Sequence, residues 1–271
     1  MDLSKIFKKE KNIIIGAIHF PPLLGYEEFP GFEVALENAL SDLKAFEDGG
    51  VDAVIVENNY DYPHKINLDP SGVAAVTYLT SKIKEVSNVP VGISVLWNDY
   101  KTALSIAKTL DLKFIRIPAF VDKVETSYGI VEPVADEASS FRELIKAGDV
   151  ALFTDIHVKH AKLLSEYSLE ESARLAMEKG SDGLIVTGKW TGDAPNTDEL
   201  RDLKDKVRDF PVLIGSGVNS ENIQELFQFA DAAIVSTSLK EGEDKEKEVN
   251  VKGYHQRISK NKVQELISSL D

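Results

Sequence analysis

The chain has 271 residues, of which 43% are hydrophobic and 28% are charged, and it contains no cysteine. That apolar fraction suffices for a substantial core and argues against disorder. The absence of cysteine excludes disulfides, thiol nucleophiles and cysteine-ligated metal clusters. The net charge of −14 argues against nucleic acid as a partner, because binding to a phosphate backbone requires a basic face.

No targeting signal or membrane span is evident. A membrane-spanning helix needs about 20 apolar residues, and no stretch of the sequence reaches that length. The apolar run Ile13–Ile18, which follows a basic start, is also too short for a signal peptide. We therefore expect no membrane span and a cytoplasmic location.

Short apolar runs rich in Ile and Val recur along the chain. In order they are Ile13–Ile18, Ala53–Val56, Val91–Leu96, Phe114–Ile117, Ala151–Phe153, Gly183–Val186, Val212–Ile214 and Ala232–Val235. Runs of this length and composition are typical of buried parallel strands. Segments with helical spacing lie between them, and the first has an apolar stripe from Leu36 to Phe46 that ends at Gly49–Gly50.

Two later helix starts carry capping signals. Ser168 and Glu171 have the spacing of a capping box, and Asn219 or Ser220 is placed to cap the helix after the seventh strand. The charged stretch Lys240–Lys247 follows the eighth strand and is expected to be a solvated loop or a lid.

Eight strand–helix units predict an α/β fold, a single (β/α)₈ barrel of the TIM type over residues 1–271. A doubly wound open sheet is the alternative, but it usually has fewer strands. Its dinucleotide-binding glycine fingerprint is also missing, since Gly16 is followed by Ala-Ile-His-Phe-Pro-Pro. Many such barrels assemble, so we expect a homo-oligomer.

Polar residues stand at nearly every predicted strand end, where the active site of such a barrel lies. In chain order they are His19, Glu57, Asn58, Asn98, Asp99, Arg116, Asp155, His157, Thr187, Gly188, Ser216 and Ser236–Ser238. Asn98, Asp99 and Thr187 could equally cap helices or bond within the barrel. His64 and His255 stand in polar loops and are given no role.

Three charged residues are embedded in apolar runs, where an unpaired charge is costly. Glu57, Arg116 and Asp155 are therefore expected to be paired, metal-bound or facing a polar cavity. We predict catalytic roles for them, with Arg116 neutralising developing charge; a structural ion pair between Arg116 and one carboxylate is the alternative. His19 precedes two prolines that stiffen its loop, which suits a preorganised acid or base.

The strongest ligand signal lies after the seventh and eighth strands. Gly215, Ser216 and Gly217 follow the seventh strand, and Ser236 and Thr237 follow the eighth. Glycines let backbone amides approach an anion, and these loops form the usual phosphate site of such barrels. The sequence therefore predicts a phosphorylated small-molecule ligand.

The segment after the fifth strand offers a metal site or an amine. Asp155 and His157 would point the same way on a strand and, with Glu57, could hold a divalent metal ion. Ordinary hydrogen-bonded histidines are the alternative, and His160 is a further binding candidate. Lys159 could form a Schiff base, but its loop position favours a binding role.

A glycine-bracketed loop follows the sixth strand. Thr187, Gly188, Thr191 and Gly192 are expected to border the ligand or to move as a flap. Asn58 and Asn98, at the ends of the second and third strands, complete the predicted binding set.

These motifs, in this order, resemble the BtpA family. The matching stretches are Gly16–Gly25, Gly49–Asn58, Val91–Asp99, Phe114–Arg116, Asp155–Ala161, Thr187–Gly188 with Thr191–Gly192, and Gly215–Val218. The resemblance implies a TIM barrel related to phosphate-binding barrels. The family takes its name from a role in photosystem I biogenesis, but members also occur in organisms without photosynthesis. Lys189 and Trp190 lie in a variable part and are not expected to belong to the site.

Two functions remain open from the sequence. The first is a metabolic enzyme, an isomerase or lyase that acts on a phosphorylated sugar or nucleoside-like compound. Its cofactor would be a divalent metal ion or none. The second is a non-catalytic assembly or stability factor for a membrane protein complex.

Overall fold

The computed structural model describes residues 2–188, 192–242 and 252–270. Its strands are β1 (Ile13–His19), β2 (Ala53–Glu57), β3 (Val91–Ser94), β4 (Phe114–Ile117), β5 (Val124–Thr126), β6 (Gly129–Val131), β7 (Ala151–Ile156), β8 (Lys162–Leu163), β9 (Gly183–Val186), β10 (Val212–Ile214) and β11 (Ala232–Val235). Its helices are α1 (Ser4–Phe7), α2 (Phe32–Gly49), α3 (Pro70–Val86), α4 (Tyr100–Thr109), α5 (Ala135–Leu144), α6 (Leu169–Glu178), α7 (Thr197–Val207), α8 (Ile223–Leu226) and α9 (Lys260–Ser268), with a 3₁₀ turn at Thr237–Leu239.

Eight parallel strands close into a barrel in the order β1, β2, β3, β4, β7, β9, β10 and β11, and β11 pairs back with β1. Helices alternate with these strands and cover the outside of the barrel. The predicted (β/α)₈ fold is confirmed, and the strand bounds agree with the eight apolar runs to within three residues.

Side chains of the strands alternate between the barrel interior and the layer under the helices. On β1, Ile13 and Ile15 belong to the interior cluster, whereas Ile14 and Ile18 pack in the outer layer. The same alternation brings His19 to the inner face at the carboxyl end of β1. The phase of each strand therefore decides which polar residues can meet at the barrel mouth.

The short helix α1 closes the amino end of the barrel. Leu3, Ile6 and Phe7 are buried in the interior cluster. The centroid of the Phe7 ring lies 5.6 Å from that of Phe114 and 6.2 Å from that of Phe153. The interior is thus filled from below, and the opposite end carries the cavity.

Replacing Phe7 with Ala is expected to lower the free energy of unfolding by about 3–5 kcal/mol, because it leaves a hole under the barrel strands. Urea denaturation would measure the change. Leu144, which is 76% exposed, provides the control, and Leu144→Ala should change stability by less than about 0.5 kcal/mol. Equal effects of the two substitutions would show that α1 does not support the barrel.

A second, three-stranded antiparallel sheet in the order β6, β5, β8 lies outside the barrel. Its residues Val124 and Val131 pack with Trp97, Ala119 and Val158 in a separate apolar cluster. These residues follow β3, β4 and β7, so the sheet adds a wall above the mouth on that side. The eight-unit pattern in the sequence did not predict it.

The helix signals had different outcomes. The capping box at Ser168 and Glu171 is present at the start of α6. The helix after β10 begins at Ile223, with Asn222 at its N-cap, so the predicted cap at Asn219 or Ser220 is wrong. Asn219 instead accepts hydrogen bonds from the N–H groups of Glu221 and Asn222 in a turn. None of the helices in the described ranges is long and apolar enough to cross a membrane.

Candidate active site

A cavity of about 630 Å³ opens at the carboxyl ends of the barrel strands. Its floor carries His19, Glu57, Arg116 and Lys159, and one wall is formed by the loops after β10 and β11. The facing wall carries the rings of Tyr60, His64, Trp97 and Tyr128. The cavity therefore combines a charged floor, an amide-rich wall and an aromatic wall.

Arg116 lies at the centre of the floor and is bound by two carboxylates. Its Nε and Nη2 each lie 2.8 Å from an oxygen of Asp155, and its Nη1 lies 3.3 Å from Glu57 Oε1. All three side chains are buried. Burial raises the pKa of Asp155, and the charge of Arg116 opposes that rise. The geometry agrees with the alternative of a structural ion pair and extends it to both carboxylates.

His19 and Glu57 form the polar pair next to Arg116. The two residues are direct register partners on β1 and β2, and His19 Nε2 lies 3.5 Å from Glu57 Oε2. Burial lowers the pKa of His19. Burial alone would raise the pKa of Glu57, but the contact with His19 and the charge of Arg116 lower it to about 2. At neutral pH the pair is therefore a carboxylate beside a neutral imidazole.

The predicted metal ligands do not converge. Glu57 and Asp155 both face Arg116, whereas His157 Nε2 lies 3.2 Å from the Tyr167 carbonyl oxygen, away from the cavity. His157 has a φ of +50°, so the chain has already left the strand geometry that would align it with Asp155. Within residues 2–188, 192–242 and 252–270, no three His, Asp or Glu side chains are grouped as metal ligands. The proposed trio of Glu57, Asp155 and His157 is corrected accordingly, and His157 is not part of the cavity.

Two predicted binding residues serve the scaffold. Asn58 Nδ2 donates to Asp61 and to the Leu96 carbonyl, while its Oδ1 accepts from the Leu96 N–H. Asn98 makes a matching pair of hydrogen bonds with the backbone of Ala119. Both side chains are buried and neither lines the cavity, so they hold the loops that do.

The loop after β10 packs tightly against the loop after β9. Ser216 Oγ accepts from the Gly188 N–H at 3.0 Å and donates to the Asp193 carbonyl at 2.8 Å. Gly217 has a φ of +72°, and a Cβ at this position would lie 2.0 Å from the Ala194 backbone nitrogen. The hydroxyl of Ser216 is thus engaged in loop packing. The N–H groups of Ser216 and Gly217 have no acceptor among the residues that the structure describes.

The loop after β11 faces the same side of the cavity. Ser236, Thr237 and Ser238 line it. The Ser236 hydroxyl is buried and has no hydrogen-bond partner within the described ranges. Ser238 Oγ donates to the Val218 carbonyl at 2.7 Å and so joins this loop to the one after β10. Together the two loops line this side of the cavity, with two N–H groups that have no acceptor in the first and the buried Ser236 hydroxyl in the second.

Replacing Gly217 with Ala is expected to weaken phosphate binding by at least about tenfold, because the added Cβ displaces the loop. The thermal shift produced by inorganic phosphate would measure the loss. Gly31→Ala is the matched control, since Gly31 has a φ of +96° and open space at its Cβ position. Both variants should lose about 1–3 kcal/mol of stability to the strained backbone, but Gly31→Ala should keep the phosphate response.

The remaining predicted binding residues divide into three groups. Lys159 and His160 line the cavity, as does Gly192. Thr187 Oγ1 accepts from the Lys159 N–H at 3.0 Å and so fixes the segment after β7. Thr191 lies outside the described residues, as do Lys189 and Trp190.

Several cavity residues were missed at the sequence level. Tyr60 OH accepts from Lys240 Nζ at 2.9 Å and donates to the Lys252 carbonyl at 2.7 Å. Lys240 is 1% exposed, so it is not part of the predicted solvated loop, whose residues 243–247 lie outside the described ranges. His64, which is given no role from the sequence, lines the cavity with its ring centroid 5.2 Å from that of Tyr128. Tyr60 stands three residues after Glu57, just beyond the carboxyl end of β2. This position is the sequence feature that indicates a place at the barrel mouth.

Comparison with known proteins agrees with the sequence motifs. The profile of the BtpA family matches residues 10–263. The chain belongs to the BtpA family. A relative named photosystem I biogenesis protein BtpA, from Synechocystis, is 37% identical over 89% of this chain and 84% of its own length. An uncharacterized protein of Pyrococcus furiosus is also 37% identical, over 85% of this chain and 87% of its own length.

Solved structures support the barrel fold of this BtpA-family chain. The (S)-3-O-geranylgeranylglyceryl phosphate synthase of Thermoplasma acidophilum, solved with sn-glycerol-1-phosphate, superposes with a TM-score of 0.61 at 17% identity. The match covers 99% of this chain and 96% of that one. The N-(5′-phosphoribosyl)anthranilate isomerase of Pyrococcus furiosus gives a TM-score of 0.54 at 12% identity, covering 95% and 98% of the two chains. At these identities the likeness concerns the fold alone.

Proposed function

We propose that this chain is a metabolic enzyme, an isomerase or lyase that acts on a phosphorylated sugar or nucleoside-like small molecule. The phosphate would bind the Gly215–Gly217 and Ser236–Thr237 loops. The observation that carries this proposal is the free, buried Ser236 hydroxyl on the same cavity as the His19–Glu57 pair. The enzyme would act as a cytoplasmic homo-oligomer, without a nucleic-acid partner.

His19 is the proposed acid–base group. Its Nε2 faces the Glu57 carboxylate, so in the neutral ring this nitrogen carries the proton and Nδ1 keeps its lone pair. His19 makes no other hydrogen bond or ion pair with the described part of the chain, which leaves Nδ1 able to accept a proton from a substrate. Arg116 holds Glu57 in place and keeps it ionised. The same floor needs no metal ion for this proton transfer.

Screening phosphorylated sugars and nucleotides, with inorganic phosphate as the minimal probe, tests the proposal. We expect a thermal shift with phosphate that disappears in Gly217→Ala, and turnover of at least one phosphorylated compound seen by proton NMR. No shift with any phosphorylated compound would refute the phosphate site. Binding of phosphorylated compounds without turnover by the wild-type chain would refute the proposed enzymatic function.

A second candidate function is assembly or stabilisation of a membrane protein complex. The name of the Synechocystis relative is the observation in its favour. This function predicts a persistent complex with a membrane protein. It also predicts that Glu57→Gln and Asp155→Asn variants complement a deletion strain as well as the wild type does. Failure of both folded variants to complement would count against it.

A further inference from the structure

Lys159 differs from the other cation of the cavity floor. Arg116 is fully engaged with Asp155 and Glu57. Lys159 is half-buried and lines the cavity, and its backbone N–H is fixed by Thr187. Its ammonium group, however, has no hydrogen-bond or ion-pair partner among the residues that the structure describes. The floor thus presents one amine that the fold itself does not use.

Charged groups near this amine change its pKa. Burial, followed by the positive charge of Arg116, lowers the pKa of Lys159 to about 8, against the opposing effect of Glu57, Asp155 and Asp193. An amine with that pKa has roughly two hundredfold more neutral form near pH 7.5 than an ordinary lysine. A lysine that only binds phosphate gains nothing from losing its charge. A lysine that acts as a nucleophile must be neutral to react.

We propose that Lys159 Nζ forms a covalent imine with the carbonyl carbon of the substrate. The inference rests on the proposed function and specifies the substrate class as a phosphorylated aldehyde or ketone. It also reverses the sequence-based preference for a binding role, since the loop position of Lys159 still brings its side chain to the cavity.

The step balances in atoms and charge. The neutral amine attacks the carbonyl carbon, and the C–N bond forms as the C–O π electrons move to oxygen. The oxygen leaves as water after taking two protons. Overall, the ammonium form of Lys159 and the carbonyl compound give a protonated imine and one water. His19 lines the same cavity as Lys159 and is the proposed proton relay. The protonated imine then draws electrons from the adjacent carbon, as isomerisation or carbon–carbon cleavage requires.

Borohydride trapping tests the proposal on the full chain. The probes are dihydroxyacetone phosphate, a ketone, and pyridoxal 5′-phosphate, an aldehyde; each is reduced in place, and the labelled residue is identified by peptide mass spectrometry. Lys162 is the internal control, because it lies three residues away and its side chain is 75% exposed. We expect at least about tenfold more label on Lys159 than on Lys162, with label at 159 absent from Lys159→Arg and unchanged in Lys162→Arg.

The outcomes separate this inference from the proposed function. If neither probe labels Lys159 more strongly than Lys162, the imine proposal is overturned. If inorganic phosphate still produces its Gly217-dependent thermal shift in that case, the phosphate-binding enzyme stands without a covalent step. If phosphate produces no shift, the proposed function fails as well. Label on Lys159 that inorganic phosphate suppresses supports both.

Discussion

Replacing Arg116 with Met is expected to lower the free energy of unfolding by about 3–5 kcal/mol at neutral pH. The substitution keeps an apolar side chain of similar length but leaves the carboxylates of Glu57 and Asp155 buried without their shared cation. Urea denaturation would measure the loss. Arg174→Met is the matched control, because Arg174 is 59% exposed and pairs with Glu178 one helical turn away. That control should lose less than about 0.5 kcal/mol.

The decrease in the free energy of unfolding caused by Arg116→Met should also depend on pH. The pKa of Glu57 determines whether it grows or shrinks as pH rises. In the wild type this pKa is lowered to about 2, so its stabilisation is complete above the unfolded value of 4.5 and is lost as pH falls towards 2. Without Arg116 the buried carboxylates favour the protonated form, and stability should fall as pH rises from about 4 to 7. If Arg116→Met lowered the free energy of unfolding equally at about pH 4 and at about pH 7, the ionic description of the floor would be contradicted.

Replacing Glu57 with Gln should reduce kcat/KM by about 10²–10⁴-fold on the phosphorylated substrate that the screen identifies. The amide keeps the shape but removes the charge that orients the His19 ring. Phosphate binding should be unchanged, because the phosphate loops do not contact Glu57. The acid limb of the pH profile should lie below 6.5 in the wild type, since burial lowers the pKa of His19 and the ring must be neutral to accept a proton.

Glu85→Gln is the control for this measurement, because Glu85 is exposed on α3 and should leave kcat/KM unchanged. Equal turnover by Glu57→Gln and the wild type would remove His19 and Glu57 from the chemistry. If that variant also complemented a deletion strain fully, the assembly function would be favoured over the enzyme.

The barrel and the charged residues of its mouth could be predicted because both follow from the short apolar runs. A run such as Ala53–Val56 is buried on both faces in a parallel barrel, so the charge of Glu57 at its end must be paired or face a polar cavity. This reasoning identified Glu57, Arg116 and Asp155, and the structure brings all three together. Their mutual pairing depends on register between strands far apart in sequence, which the sequence does not specify.

The errors arose where the chain leaves regular structure. The positive φ at His157 turns its side chain out of the alternation that joined it to Asp155. The strands of the small sheet are only two or three residues long, too short for a periodic pattern. The charged stretch that begins at Lys240 predicts a solvated side chain, whereas the side chain of Lys240 is buried against Tyr60.

The sequence predicts a solvated helix end at the basic start, because four lysines at positions 5, 8, 9 and 11 conceal the apolar set of Leu3, Ile6 and Phe7 that α1 buries. Its placement has a consequence for biosynthesis. The ribosome makes α1 before the rings of Phe114 and Phe153 against which it packs, and β11 must still emerge before the barrel can close on β1. The apolar face of α1 is therefore exposed on the nascent chain for most of translation, when chaperone contact would protect it.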